Sequence, residues 1–271
     1  MIPASQKIQH PQFLDETGPT ALVVAHPGHE LRIHAWLERT RPHVFVLTDG
    51  SGHASEARLD ATASVLERAG AQPGSIFGRF SDREAYRLIL DQRLAALKEL
   101  TRELADRFVE LKIRTAVSDA VEGFNPVHDL CWILTESAVE IASRRLGRPI
   151  RHLDFPLESA PDANTEILGD EAVRFALDDA AWRRKLEEAW ANEQLRFEVE
   201  RAIETYGSQA FRVEVLRPAS PAALEALLER RPYYEIYGEQ RVQAGAYDRV
   251  LRFREHFLPL ARGVKTWAET V

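Results

Sequence analysis

Cysteine is nearly missing from this sequence. Cys131 is the single thiol among 271 residues, which excludes an intrachain disulfide framework and any metal site built from several cysteines. Long apolar runs are missing too: no stretch approaches the roughly 20 apolar residues needed to span a bilayer. Residues 1–20 are polar and hold Pro3, Pro11 and Pro19, which does not read as a secretory leader. There is no block of basic residues. With 42 acidic against 35 basic side chains the formal net charge is −7, so no track for a phosphate backbone is expected and nucleic acid is not an expected partner. Internal repeats and low-complexity tracts are absent. No G-x-G-x-x-G follows the first apolar run, and Pro27 occupies the turn where a dinucleotide phosphate would sit, which argues against a nucleotide-binding Rossmann enzyme. What remains is a globular protein expected in the cytoplasm, long enough to bury a substantial core. Nothing in the sequence opposes a homo-oligomer.

What is present is alternation. Thr20–Ala25, His43–Leu47, Ser75–Phe80, Ile113–Val117 and Pro149–Phe155 are short apolar or β-branched runs that read as strands. Between them, residues 29–40, 54–69, 82–110 (broken near Asp91) and 126–146 carry helical spacing. Strands alternating with helices predict βαβ units and right-handed crossovers. The fold class is therefore α/β, a Rossmann-like, mostly parallel sheet with helices on both faces. Residues 1–19 read as an N-terminal arm and 20–160 as the core. Residues 161–271 read as a C-terminal α+β extension packed on the same domain, the boundary lying in Ser159–Asn164. In the extension the pattern gives a short apolar segment (Val173, Phe175, Leu177), a charged helix over 179–206, a half-exposed strand over 211–215 and a helix near 245–262.

Chemistry-bearing residues gather where strands end. In open α/β sheets ligands bind outside the carboxyl ends of the strands. His26 ends the first strand and His29 opens the next helix. Asp49 follows the second strand; Asp119 and Glu122 follow the fourth, with His128 early in the helix after it. Three neutral imidazoles, from His26, His29 and His128, leave the fourth position of tetrahedral zinc open, as a catalytic site requires. Taken alone, a His-x-x-His is a weak signal, because a histidine at a helix start is more often a cap or a satisfied core residue. Asp49, Asp119 and Glu122 read equally as turn or capping residues and as carboxylates able to activate water, with Asp119 first because a strand holds its backbone. His34, His43 and His152 read as structural, His53 is ambiguous, and His10 and His256 have no supporting context.

Ala25-His26-Pro27-Gly28-His29-Glu30 resembles the Ala-His-Pro-Asp-Asp-Glu signature of the PIG-L/LmbE-like zinc deacetylases, and Asn125-Pro126-Val127-His128 resembles their later His-Pro-Asp-His signature. The resemblance covers the layout of about 20–158 and these two motifs. It implies a Rossmann-like fold, one zinc, and removal of N-acetyl groups from amino sugars. Position by position, it implies zinc ligands at His26, His29 (an aspartate in the family) and His128. It also marks departures: Gly28 stands where the family has its general base, Asn125 where it has a histidine that assists the tetrahedral intermediate, and Val127 where an aspartate supports that histidine. Ligand positions keep metal-capable residues and the acid/base positions do not.

The expected function is therefore a metal-dependent hydrolase of an N-acyl amino sugar conjugate or related amide, a small-molecule substrate. Zinc is the expected metal, with Fe²⁺ and Co²⁺ as alternatives. The competing expectation is a metal- or sugar-binding protein on the same fold without turnover. Tyr233, Tyr234, Glu235, Glu239 and Arg241 read either as a sugar-lining segment or as packing of the extension.

Overall fold

The computed structural model describes residues 18–52, 57–163 and 171–271. The expected N-terminal arm up to residue 17, His10, His53, the start of the 54–69 helix and the end of the 159–164 boundary lie outside the described residues. Seven strands form one sheet: β1 (Thr20–Val24), β2 (His43–Thr48), β3 (Gln72–Phe80), β4 (Thr115–Asp119), β5 (Arg151–Phe155), β6 (Val173–Ala176) and β7 (Val213–Pro218), in the order β3-β2-β1-β4-β5-β7-β6. The first five are parallel, and β7 and β6 continue the sheet antiparallel.

The central parallel strands β1, β2 and β4 are buried on both faces, which is why they read as largely apolar runs, while the edge strand β3 buries only Ile76. Ala21 and Val23 of β1 join Phe45 and Leu47 of β2 in one core, while Leu22 and Val24 join Val44 and Val46 in the other. The first core is closed by α3 (Asp82–Leu90), α4 (Leu94–Glu110) and α5 (Pro126–Leu146), the second by α1 (His34–Thr40) and α2 (Leu59–Ala69). Local signals set the helix ends. In α5, Asn125 caps the Val127 amide, Pro126 occupies the first turn and Gly147 closes the end at φ 64°. In α3, Ser81 and Glu84 form a capping box.

The extension departs from its expected outline. The charged 179–206 segment is two helices, Asp179–Ala191 and Arg196–Tyr206, separated by a 3₁₀ turn at Glu193–Leu195. The tail helix expected near 245–262 is instead two, Tyr233–Gln243 and Leu258–Ala268, with a π-helical turn at Phe253–Phe257 before the second. Gly245 at φ 69° stops the first, and Pro259 suits the first turn of the second. Leu260 and Val264 then bury against the same core as Trp132 of α5. No helix among the described residues is long and apolar enough to cross a membrane.

A buried ion pair fastens the extension to α1. Glu214 of β7 accepts from the Ala35 and Trp36 amides at the start of α1, each at 2.9 Å, and pairs with Lys185 Nζ at 2.9 Å. Both side chains are almost wholly buried. Glu214→Ala leaves an ammonium and two helix amides without their carboxylate, so it should cost about 3–5 kcal/mol. Urea denaturation checks this, and the double variant Glu214→Ala/Lys185→Met should lose less. A loss below about 1 kcal/mol would mean that water reaches the pair.

Candidate functional site

The order reverses at β1, which feeds β2 on one side and lies against β4 on the other. The loops after β1 and β4 therefore face each other across the crevice that such a reversal creates. Three imidazoles meet there. The ring centroids of His26 and His29 are 5.3 Å apart, those of His26 and His128 5.1 Å, and those of His29 and His128 4.7 Å.

Each ring is positioned by the turn that carries it. Gly28, at φ 99°, lets the chain leave β1 and enter a 3₁₀ turn over His29–Ile33. The buried Glu30 holds that turn: one carboxylate oxygen accepts from the Gly28 amide at 2.8 Å, the other from the Thr62 hydroxyl at 2.8 Å. Burial raises the Glu30 pKa above the ordinary carboxylate value against the pull of these bonds. His128 sits in the buried first turn of α5.

Two rings are clamped from behind. His26 Nδ1 lies 2.9 Å from Asp82 Oδ1 and 2.7 Å from Thr48 Oγ1. His29 Nδ1 lies 2.9 Å from Asp119 Oδ2, which also accepts from the Ala25 amide at 2.8 Å. A carboxylate can only accept, so Nδ1 carries a proton in both rings and Nε2 is the nitrogen turned away from the carboxylates. Asn125 Nδ2 donates toward His26 Nε2 at 3.3 Å. Burial depresses the His29 pKa, but the charge and hydrogen bond of Asp119 outweigh it and the net direction is upward. Asp82 moves the other way: burial would raise it, and the His26 bond and charge bring it well below the usual carboxylate range. His128 is held well below the ordinary histidine value, first by burial and then by His29 and His26, so it is neutral. Its Nδ1 is buried with no hydrogen-bond partner, as is Asp119 Oδ1.

The rings meet edge to face, at interplanar angles of 80°, 67° and 87°. As placed, no group of three or more histidine, cysteine, aspartate or glutamate side chains among the described residues could hold a metal ion. The donors are gathered but not yet aimed at one point.

The carboxylates singled out from the sequence have defined tasks here. Asp119 is buried behind His29. Asp49 turns into its own loop, where Oδ1 accepts from the Ser51 amide at 2.9 Å. Glu122 is taken up by the chain after β5: it accepts from the amides of Leu157, Glu158 and Ser159 and from the Ser159 hydroxyl. Two side chains that sequence reasoning passed over are central. Asp82 follows β3 and Glu158 follows β5. The strand-end rule, extended from three strands to all five parallel ones, finds both.

The histidines floor a cleft of about 870 Å³, lined also by Arg32, Asp82, Asn125 and Glu158. Its outer wall comes from the extension, through Leu195, Arg201 and Tyr206. Glu158 pairs with Arg201 at 3.2 Å, and its pKa is raised above the ordinary value, first by burial, against the pull of Arg201.

The sequence matches no protein-family model and no curated protein. Among solved structures the chain is similar to the A40926 pseudoaglycone deacetylase Dbv21, at 18% identity and a TM-score of 0.46, covering 74% of this chain and 96% of that one. It is similar to the conserved protein TT1542 from Thermus thermophilus, at 18% identity and 0.49, covering 74% and 94%. It is also similar to the zinc-inhibited form of teicoplanin deacetylase Orf2, at 12% identity and 0.40, covering 84% and 95%.

Gly28 supplies a direct test of the geometry. A Cβ at this position would collide with Leu195 Cδ1, and φ of +99° strains any other residue. Gly28→Asp should therefore destabilise the protein by about 1–3 kcal/mol from backbone strain alone, and further through the collision. In a thermal-denaturation cycle Leu195→Ala should return the collision part and not the strain, with a coupling of about 0.5–3 kcal/mol. Zero coupling would mean that Leu195 does not cover Gly28 in solution.

Proposed function

We propose that the protein is a metal-dependent hydrolase that removes the acyl group from an N-acyl amino sugar or related amide, with His26, His29 and His128 as metal ligands. The observation that carries this reading is the gathering of three imidazoles at the sheet's reversal, two of them fixed through Nδ1 by carboxylates. Metal-binding histidines characteristically donate their other ring N–H to a carboxylate, which sets the tautomer and strengthens the donor. The donor set fits a divalent ion in kind: His128 is neutral and has an unpartnered buried nitrogen, and with the rings edge to face an ion would require them to turn toward one point. Zinc suits three such nitrogens, and Fe²⁺ or Co²⁺ are the alternatives. When bound, a divalent ion would polarise the amide carbonyl and make a water molecule acidic.

The residues of the chain supply the rest. Asp82 and Asp119 orient His26 and His29. Asn125, whose amide already reaches His26, is placed to donate to an acyl oxygen. A base must come from elsewhere than position 28, which has no side chain. Asp119 Oδ2, Asp49 and Glu122 are held by partners away from the cleft, whereas Glu158, paired with Arg201, lines the cleft and has a raised pKa, first from burial, as acid/base work near neutral pH favours. We assign the proton transfer to Glu158, with Asp119 acting through His29. Leu195 over Gly28 favours the second reading, a binding protein without turnover.

Metal analysis after chelation and reloading tests the ligand set. His29→Ala should lose the metal, and Asp119→Asn should weaken metal affinity by about 10–100-fold. Full metal occupancy in His29→Ala sinks the ligand assignment. If Asp119→Asn keeps its affinity and loses turnover, the base role belongs to Asp119.

Acetate release from N-acetylated amino sugars tests the reaction. Glu158→Gln should lower turnover by about 10²–10⁴-fold with metal content unchanged. A metal-loaded protein that releases no acetate with zinc, iron or cobalt is the binding protein.

A further inference from the structure

One charge in the histidine cleft is left without a partner. The other charged side chains that line it are paired: Asp82 with His26 at 2.9 Å, Glu158 with Arg201 at 3.2 Å, Glu198 with Arg58 at 3.6 Å, and Lys185 with Glu214 at 2.9 Å. Arg32 is the exception. Among the described residues its guanidinium makes no ion pair, and its Nη1 is buried with no hydrogen-bond partner. Burial depresses its pKa against the pull of the Glu122 and Glu158 carboxylates, yet an arginine stays charged in a protein. Neither carboxylate is free to pair with it. Glu122 is satisfied by the amides of 157–159, and Glu158 is held by Arg201.

The position of Arg32 is set by the turn that carries His29. It lies three residues after His29 in the 3₁₀ turn His29–Ile33. Side chains at i and i+3 of such a turn eclipse each other, so the guanidinium and the imidazole leave on one side, and both line the cleft. The backbone there is anchored, because the Arg32 carbonyl oxygen accepts from Lys185 Nζ at 2.6 Å. Phe211 lies against the guanidinium, 5.3 Å from its ring centroid. The ring steadies the plane but gives its in-plane N–H groups no acceptor. Leu157 and Leu195 add apolar wall. A charged group left unsatisfied in such surroundings is costly. The same surroundings strengthen its attraction for an anion that enters.

We propose that Arg32 binds a carboxylate carried by the substrate, which makes the substrate an acidic N-acyl amino sugar or related acidic amide. The rise between positions 29 and 32 is about 6 Å, so the carboxylate lies a few bonds from the amide at the histidines. Placing the amide rests on the deacylase reading; the carboxylate site does not. The planar fork of a guanidinium matches the two oxygens of a carboxylate. Charge also favours a carboxylate over a phosphoryl group. A carboxylate brings one negative charge to one unpaired positive charge. A phosphoryl group brings about −1.5 to −2, with Glu122 and Glu158 already near.

The test uses the full chain freed of metal by chelation, so that no metal can hold a carboxylate. It is titrated calorimetrically with N-acetylglucosamine, with its 6-phosphate, and with N-acetylmuramic acid and 2-acetamido-2-deoxyglucuronic acid, which carry a carboxylate at two different places. At least one acid should bind about 10–100-fold more tightly than N-acetylglucosamine, and more tightly than the phosphate. Arg32→Met should lose that advantage and bind N-acetylglucosamine as the parent does. Arg32→Lys should keep part of it, having the charge without the fork. Thermal unfolding separates recognition from structure. The guanidinium has no partner to lose, so Arg32→Met should unfold at the parent's temperature or above; a lower temperature would make Arg32 a structural residue and overturn the proposal. It is also overturned if neither acid binds more tightly than N-acetylglucosamine, if Arg32→Met keeps the advantage, or if the phosphate binds as tightly as the better acid. With metal restored, the better acid should show a lower KM for acetate release than N-acetylglucosamine, a difference lost in Arg32→Met. Equal KM values in the parent overturn the substrate assignment. No acetate from any of these compounds, with the acid bound as expected, counts against the deacylase reading and leaves the carboxylate site standing.

Discussion

The Asp119 carboxylate is the joint on which this site depends. It ends β4, is fully buried, and through one oxygen receives both the Ala25 amide at the end of β1 and the His29 ring from the turn beyond. One side chain thus ties together two parallel strands at the reversal of the sheet and sets the ring that the turn projects. A buried carboxylate without such partners would be costly. Two charge-compatible donors repay part of that cost and fix the geometry of the loop at the same time. His26 is set in the same manner from the other side, by Asp82 at the start of α3, so the separation of the rings follows from the spacing of strands β3, β2, β1 and β4.

The extension completes the arrangement. Without β7, Glu214 would not cap α1, and the turn from His29 into α1 would end on unsatisfied amides. Without Leu195 and the Arg196–Tyr206 helix, the histidines would lie on an open shelf instead of under a wall. Leu195 also occupies the space above Gly28, so the glycine, the 3₁₀ turn and the break between the two helices of the 179–206 segment are parts of one contact. A side chain at 28 would displace the Leu195 tip and strain the backbone at φ +99°.

The parallel core was legible from the sequence because its central strands are buried on both faces and bounded by turn residues, and the α5 start was legible from Asn125 and Pro126. The three histidines could be named for the same reason: each lies within four residues of a strand end or in the first turn of a helix. Partners were harder to see. Asp82 reads locally as a residue of the Ser81–Glu84 capping box, and only the β2–β3 pairing brings it to His26. Glu122 reads as a loop carboxylate in the right place, yet the chain after β5 turns back and consumes it. The 233–271 segment was opaque because its helices are set by tertiary contact. Tyr234 is buried among core side chains, while Tyr233, one residue earlier, stacks on Phe124 at the surface.

Negative charge stands one step behind the ring cluster, on Asp82 and Asp119. His29 brings a ring with the buried Asp119 carboxylate behind it, which raises its pKa against the effect of burial. His26 and Asp82 repeat that arrangement. A carboxylate hydrogen-bonded to an imidazole raises the basicity of the far nitrogen, so the Nε2 atoms of both backed rings are the stronger donors of the cluster. His128 is kept neutral by different means. Two neighbouring rings and full burial already disfavour a proton there, and no carboxylate contacts its Nδ1. Of the three rings, His128 is kept unprotonated and has its lone pair available, whereas at His29, whose pKa the Asp119 carboxylate raises, a divalent ion would compete with a proton.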